Sequence, residues 1–211
     1  MRCVRPPRQT MNPITHFLAS WAAADAARLE ARDRTLVAFC GVAPDLDGLG
    51  VVVDGANRLL GRPDSWYFGQ YHHALLHGLP AALLIPALAS VLARDRLRVF
   101  VIGVLVVHLH FLCDLVGSRG PGADDIWPLP YFAPLSDRFT LQWSGQWPLN
   151  AWPNIAFTVG LLGYAFYRAC TAGYSPVGVF SAAGDRAFVA AVQQRWRTVR
   201  GQDQSLSLIH I

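Results

Sequence analysis

Apolar positions gather into three helix-length blocks, Leu79 to Ala93, Leu97 to Val116 and Ile155 to Ala169, each bounded by charged or turn-forming residues. Such a block is either a helix buried in a bundle or one that enters a bilayer, for which about 20 apolar residues suffice. All three are shorter or more interrupted than that. The pattern therefore predicts an all-α, membrane-associated helical bundle in which these runs cross or enter the membrane.

Polar punctuation sets the remaining elements. Ile14 to Leu29 carries apolar and small residues at helical spacing after an Asn12-Pro13 start, which predicts a capped first helix. Thr35 to Val42 reads as a second, short helix that ends at Pro44. Gly48 to Gly69 reads as a long connection with one helical turn near Gly55 to Leu60, a lid or surface excursion. Pro86 should kink the first apolar run, and Gly117 to Gly122 is a turn-rich loop. From Asp124 to Trp152 the prolines forbid long regular structure, and Trp127, Trp143, Trp147 and Trp152 have the amphipathic character of a membrane–water interface. Asp185 to Arg200 reads as a basic amphipathic helix, on the membrane surface or exposed. No internal repeat is evident. Residues 11–200 are expected to form a single helical domain, with 1–10 and the 201–211 tail as extensions foreign to it and Met11 a candidate start.

Composition agrees with the pattern. The 211 residues are 53% apolar and only 15% charged, against about 25% charged in an average soluble domain. The first ten residues hold arginines and no apolar core, so a cleavable signal peptide is not expected. Cys3, Cys40, Cys113 and Cys170 are far apart and form no paired motif, which predicts free thiols. Arginines cluster at Arg94, Arg96 and Arg98 and again at Arg168, Arg186, Arg195, Arg197 and Arg200, marking those connections as cytoplasmic. His110 and Asp114 would then lie toward the opposite surface. The net charge of +4 forms no basic stripe interleaved with aromatics, so no nucleic-acid partner is expected.

Chemistry enters through the second apolar run. FVIGVLVVHLHFLCD places His108, His110 and Asp114 in its second half, where each group is costly to bury unless paired or bound to metal. His110 and Asp114 are four apart and share one helix face, so they can grip one cation or simply bond to each other. His108 is rotated roughly 200° away. Asp45 and Asp47 follow Pro44; if that exit is extended they point to the same side, and two close carboxylates suggest a divalent ion between them. The competing reading is a helix C-terminal turn. Tyr71 to His77 carries three of the chain's seven histidines, with His73 and His77 at i and i+4 and His72 just before them. Arg119 follows Asp114 closely enough to clamp a substrate anion or to form a plain salt bridge.

Taken together, His16, Asp45, Asp47, His72, His77, His110 and Asp114 are more ligands than one tetrahedral ion takes, which points to one or two divalent ions. The absence of thiolates leaves zinc, manganese or iron. Thr15-His16, Pro44-Asp45-Leu46-Asp47, His72 with His77, His110 to Asp114 followed by Gly117, and Trp127-Pro128 form an ordered series of short motifs. This series resembles the bacterial inner-membrane-associated, metal-dependent hydrolases described as LexA-binding or YdjM-like, over about residues 14–152. His73 stands where that pattern has Arg, and Leu76 and Gly78 where it has Thr and Ser. The resemblance implies an inner-membrane hydrolase, zinc most of all, and names a reaction class without a substrate.

The expectation is thus a membrane-bound hydrolase acting on an ester or phosphoester bond of a lipid or other small molecule. Asp47 is the candidate general base, Arg119 the anion clamp, and His73 and His108 candidates to orient ligands. Two rivals stand beside it. One is a membrane protein with a structural metal, favoured by closed coordination. The other is a transporter or proton relay, favoured by ionisable groups strung along the bundle's depth.

Overall fold

A computed structural model describes residues 12–63, 65, 75–120 and 122–200 of the chain. The fold is all-α. In order it has α1 (Pro13–Ala26), α2 (Ala31–Cys40), a 3-10 turn (Ala43–Leu49), α3 (Gly50–Leu59), α4 (Leu79–Val91) and α5 (Arg96–Gly117). A two-residue ladder of β1 (Leu129–Pro130) and β2 (Thr140–Leu141) follows, then α6 (Trp152–Ala172), a 3-10 turn (Pro176–Val179) and α7 (Ala182–Val199). The chain divides into two compact units between Phe157 and Thr158. The two terminal extensions, His72 and His73 lie outside the described residues.

Local signals fix most of these boundaries. The Asn12 side chain accepts the Ile14 N–H at 2.9 Å and Pro13 opens the first turn, so α1 starts where its cap predicts. Asp95 caps α5 by accepting the Arg98 N–H at 3.2 Å. Buried Asp33 of α2 takes the N–H groups of Arg94 and Asp95 at 3.0 and 2.9 Å, which ties the start of α5 to α2. At its other end, Asn154 donates to the Gly117 carbonyl at 2.9 Å and accepts from Trp147 Nε1 at 2.7 Å.

In the first unit α1, α2 and α4 pack around α5. The core joins Ala24, Val37, Cys40, Ala82, Val99, Val106, Val107 and Phe111. Two close approaches depend on a missing side chain. A Cβ on Gly103 would sit 2.7 Å from Pro86 Cβ, so the proline inside α4 nests against a glycine of α5. A Cβ on Gly41 would fall 1.6 Å from Ser20 Oγ, which lets α1 and α2 meet just above the acidic turn.

Among the described residues two helices, α5 and α6, are long and apolar enough to cross a membrane, and the bent segment Ala31–Cys40 with Ala43–Leu59 adds a third if it forms one span. At 22 residues α5 is roughly 33 Å long, enough for the bilayer's apolar core. The 13-residue α4 is roughly 20 Å long and falls short as a straight span, although its sequence ran on to Ala93 as one apolar block.

Three expectations are corrected. Gly50 to Leu59 is a ten-residue helix, where the sequence suggested a connection with a single turn; Val51, Val52 and Val53 in its first turn are all exposed. Asp45 and Asp47 sit in a 3-10 turn and not in an extended exit, so they diverge instead of sharing a side. Trp127 is a core residue, held by Gln146, which accepts its N–H at 2.7 Å and donates to its carbonyl at 2.9 Å. Trp143 and Trp152 are exposed as an interfacial role requires. Cys40, Cys113 and Cys170 are free thiols.

Candidate metal centre

Four pieces of chain deliver the polar cluster of the first unit. The first turn of α1 supplies His16, the 3-10 turn after α2 supplies Asp45 and Asp47, and the C-terminal third of α5 supplies His110 and Asp114. His77 arrives from the bend before α4. That bend is pinned by Leu79, whose N–H meets the Tyr131 carbonyl at 2.6 Å. It is also packed so tightly that a Cβ on Gly78 would meet the Ala133 carbonyl oxygen at 2.4 Å. His16, His77, His110 and Asp114 are all at most 3% exposed.

Their ligand atoms converge. His77 Nε2 and His110 Nε2 are 3.1 Å apart, His110 Nε2 and Asp114 Oδ2 3.1 Å, and His77 Nε2 and Asp114 Oδ2 3.5 Å. Ligands bound about 2.0–2.2 Å from one tetrahedral ion stand roughly 3.3 Å from each other. His16 Nε2 is 3.3 Å from the other Asp114 oxygen, and Asp45 Oδ1 is 3.7 Å from His110 Nε2. His16 also stacks on His110 with ring centroids 3.8 Å apart.

Hydrogen bonds behind the cluster decide its tautomers. His110 Nδ1 lies 2.8 Å from the Gly41 carbonyl, which can only accept, so Nδ1 carries the proton and a neutral ring turns a lone pair inward at Nε2. His77 Nδ1 lies 3.0 Å from Asp47 Oδ2, which also accepts the Leu76 N–H at 3.2 Å. The two inward nitrogens therefore face each other 3.1 Å apart with no neutral proton to share. Only a positive charge reconciles them, either a second proton on one ring or a cation between them. Both nitrogens of His16, both oxygens of Asp45 and Asp114 Oδ2 lack a hydrogen-bond partner among the described residues, although all are buried. Orphaned atoms of this kind are rare without a ligand to satisfy them.

Electrostatics points the same way. Burial opposes an imidazolium at His77, yet its bonds to Asp114 and Asp47 outweigh that and raise its pKa to about 9. Burial opposes protonation of His16 as well, and the adjacent Asp114 charge overrides it and raises the pKa to about 10. A pocket that charges two buried imidazoles is short of positive charge.

Of the residues singled out from sequence, the fold brings together His16, Asp45, Asp47, His77, His110 and Asp114, with Asp47 behind His77. His108 is corrected: it lies away from the cluster, bonded to the Val104 carbonyl at 2.8 Å and to the Tyr131 hydroxyl at 3.0 Å. Arg119 forms no ion pair with Asp114 among the described residues; its N–H donates to the Trp147 carbonyl at 3.2 Å. Two residues escaped sequence reasoning. Ser118, fully buried, donates to Asp114 Oδ1 at 3.0 Å, and the Gly41 carbonyl orients His110. Ser118 sits four residues after Asp114, a spacing that could have flagged it; nothing local flags Gly41.

A match to the YdjM inner membrane protein family model covers residues 11–196. The chain belongs to that family. It is an inner-membrane protein, in keeping with the two or three helices able to span among the described residues. No curated protein and no solved structure matches it.

Proposed function

We propose that this YdjM-family protein is a membrane-bound, metal-dependent hydrolase whose ion is held by His77, His110 and Asp114. The observation that carries this is the pair of inward-facing imidazole nitrogens 3.1 Å apart, each with its outer nitrogen already committed. Two histidines and one carboxylate suit zinc, manganese or iron, and three protein ligands leave positions open for water and substrate. His110 belongs both to the convergent group His16, His110 and Asp114 and to the group Asp45, His77 and His110, so the described atoms supply one ion more readily than two. When bound, a divalent ion would polarise the scissile bond and lower the pKa of water toward neutrality.

The chain's own groups supply the rest. Asp47 fixes the His77 ring and the Gly41 carbonyl fixes His110, as carboxylates and carbonyls behind metal-bound histidines do. Asp45 and His16 flank the trio with unpartnered atoms. The Asp45 side chain is 9% exposed, against 0% for His16 and 3% for Asp114, and both its oxygens are buried without a hydrogen-bond partner among the described residues, so it is the carboxylate of the cluster left free for a bound water. Asp45 is therefore the group that accepts a proton from water, and Asp47 is too committed to His77 to do so. A lipid or other small-molecule ester or phosphoester is the substrate class, because the cluster sits at the end of a helix able to span the membrane.

A structural ion is the second reading, favoured by the near-complete burial of His16, His77, His110 and Asp114. One experiment separates the two. Detergent-purified protein loaded with zinc or manganese is screened against phosphoesters, carboxylic esters and amides, alongside Asp45→Asn. The hydrolase reading expects ion-dependent turnover that Asp45→Asn abolishes while metal content is retained. Retained metal with no turnover in any form of the protein would leave the structural ion.

A further inference from the structure

The second unit carries a site unrelated to the metal cluster. Between α6 and α7 lies a cleft of about 410 Å³, lined on one side by Gly163, Phe166 and Cys170 and on the other by Val192, Arg195 and Trp196. That volume falls within the range of roughly 300–1,000 Å³ typical of small-molecule sites. Positions 163, 166 and 170 of α6, and 192, 195 and 196 of α7, recur at helical spacing, so each helix gives one face to the cleft. Space is real at its wall: a Cβ on Gly163 would meet nothing within 4 Å.

The charge around this cleft is one-sided. Between residues 158 and 200 the chain holds five arginines and a single acid, Asp185. Asp185 is already engaged, accepting from the N–H and hydroxyl of Ser175 at 3.0 and 2.6 Å. Arg195 pairs with no acid among the described residues, and Arg200 lies over the Trp196 ring at 4.7 Å. An apolar slot with an arginine among its lining residues, beside a helix able to span the bilayer and on a basic amphipathic helix, fits a molecule with an apolar chain and an anionic head.

We propose that this cleft binds one anionic phospholipid of the inner membrane, with an acyl chain along the Gly163–Phe166 stripe and the phosphate at Arg195. Arginine excess marks cytoplasmic segments, so the lipid would come from the inner leaflet. The bound lipid would fill a groove otherwise lined by exposed Phe166 and Trp196 and would anchor α7 in the membrane surface.

The test is native mass spectrometry of the full chain in mild detergent, with phosphatidylglycerol and phosphatidylcholine of matched acyl chains added in turn. Wild type should retain one phosphatidylglycerol in preference to phosphatidylcholine. Arg195→Gln should weaken retention by about fivefold, the effect of one arginine near an anionic headgroup. Gly163→Trp, which fills the slot, should abolish it, and Gly163→Leu serves if the larger residue perturbs folding. Arg186→Gln, outside the slot, should leave it unchanged. Equal loss from Arg186→Gln and Arg195→Gln, or equal retention of both lipids, would overturn the site. A concentration-dependent dimer abolished by Gly163→Trp would assign the cleft to a second copy. Retention seen only after removal of residues 201–211 would assign it to the chain's own tail.

Discussion

Helices α5 and α6 are nearly matched in length, 22 and 21 residues, and both are apolar enough to cross a bilayer, yet they do opposite work. Of its most apolar stretch α5 has 44% buried within the protein, and α6 only 11%. The buried helix carries His110 and Asp114; the exposed one carries no ionisable group before Arg168 other than tyrosine, and presents Ile155, Val159 and Leu162 outward. Polar chemistry at membrane depth survives only where neighbouring chain supplies partners. For α5 those partners are Gly41, Ser118 and the His77 bend. An apolar helix without such a surround is free only to face lipid.

The comparison breaks first at the ligands. His110→Ala should lower metal affinity more than about a hundredfold, beyond what losing an outer partner costs, measured by competition with a chelating dye. Asp47→Asn should come next: it removes no inward-facing atom but loosens the His77 ring, and a loss of about 10–100-fold is expected in the same titration.

Acidity gives the third effect. The folded pKa of His77, about 9, lies above its ordinary value of 6.5. In metal-free protein its contribution to stability is therefore full below about pH 6.5 and is lost as pH rises through 9. Metal must displace that proton, so affinity should climb by about tenfold per pH unit from 7 to 9 and flatten above. A flat profile would mean that His77 holds no proton for the ion to displace.

Smaller effects sharpen the contrast. Gly41→Ala forces a methyl into Ser20 and should cost about 1–3 kcal/mol in thermal or denaturant unfolding, as overpacking does. Leu162→Ala on the outward face of α6 should change stability by less than about 0.5 kcal/mol and leave metal affinity untouched.

Much of this was legible in the residues. Helical periodicity marks α1, α5 and α6, and the i, i+4 spacing of His110 and Asp114 by itself puts both on one face. The turn after Pro44 was not legible: alternate residues share a side in a strand and diverge in a 3-10 turn, and Pro-Asp-Leu-Asp-Gly permits both. Helix α3 was hidden because Gly50, Asp54 and Gly55 read as punctuation. His108 could be placed off the metal face, but its true partner, Tyr131, lies in a loop whose path no periodicity describes. The Gly41 carbonyl was beyond reach for a deeper reason. Its role depends on how closely the end of α2 approaches α5, a property of packing between segments far apart in the chain.

The central claim is that His77, His110 and Asp114 surround a cation. Its most direct measurement is elemental analysis of detergent-purified wild type, Asp114→Ala and, as a control away from the cluster, His108→Ala. The account predicts about one divalent ion per chain in wild type and His108→Ala and none in Asp114→Ala. Equal metal in all three, or none in any after loading with zinc, manganese and iron in turn, would contradict it.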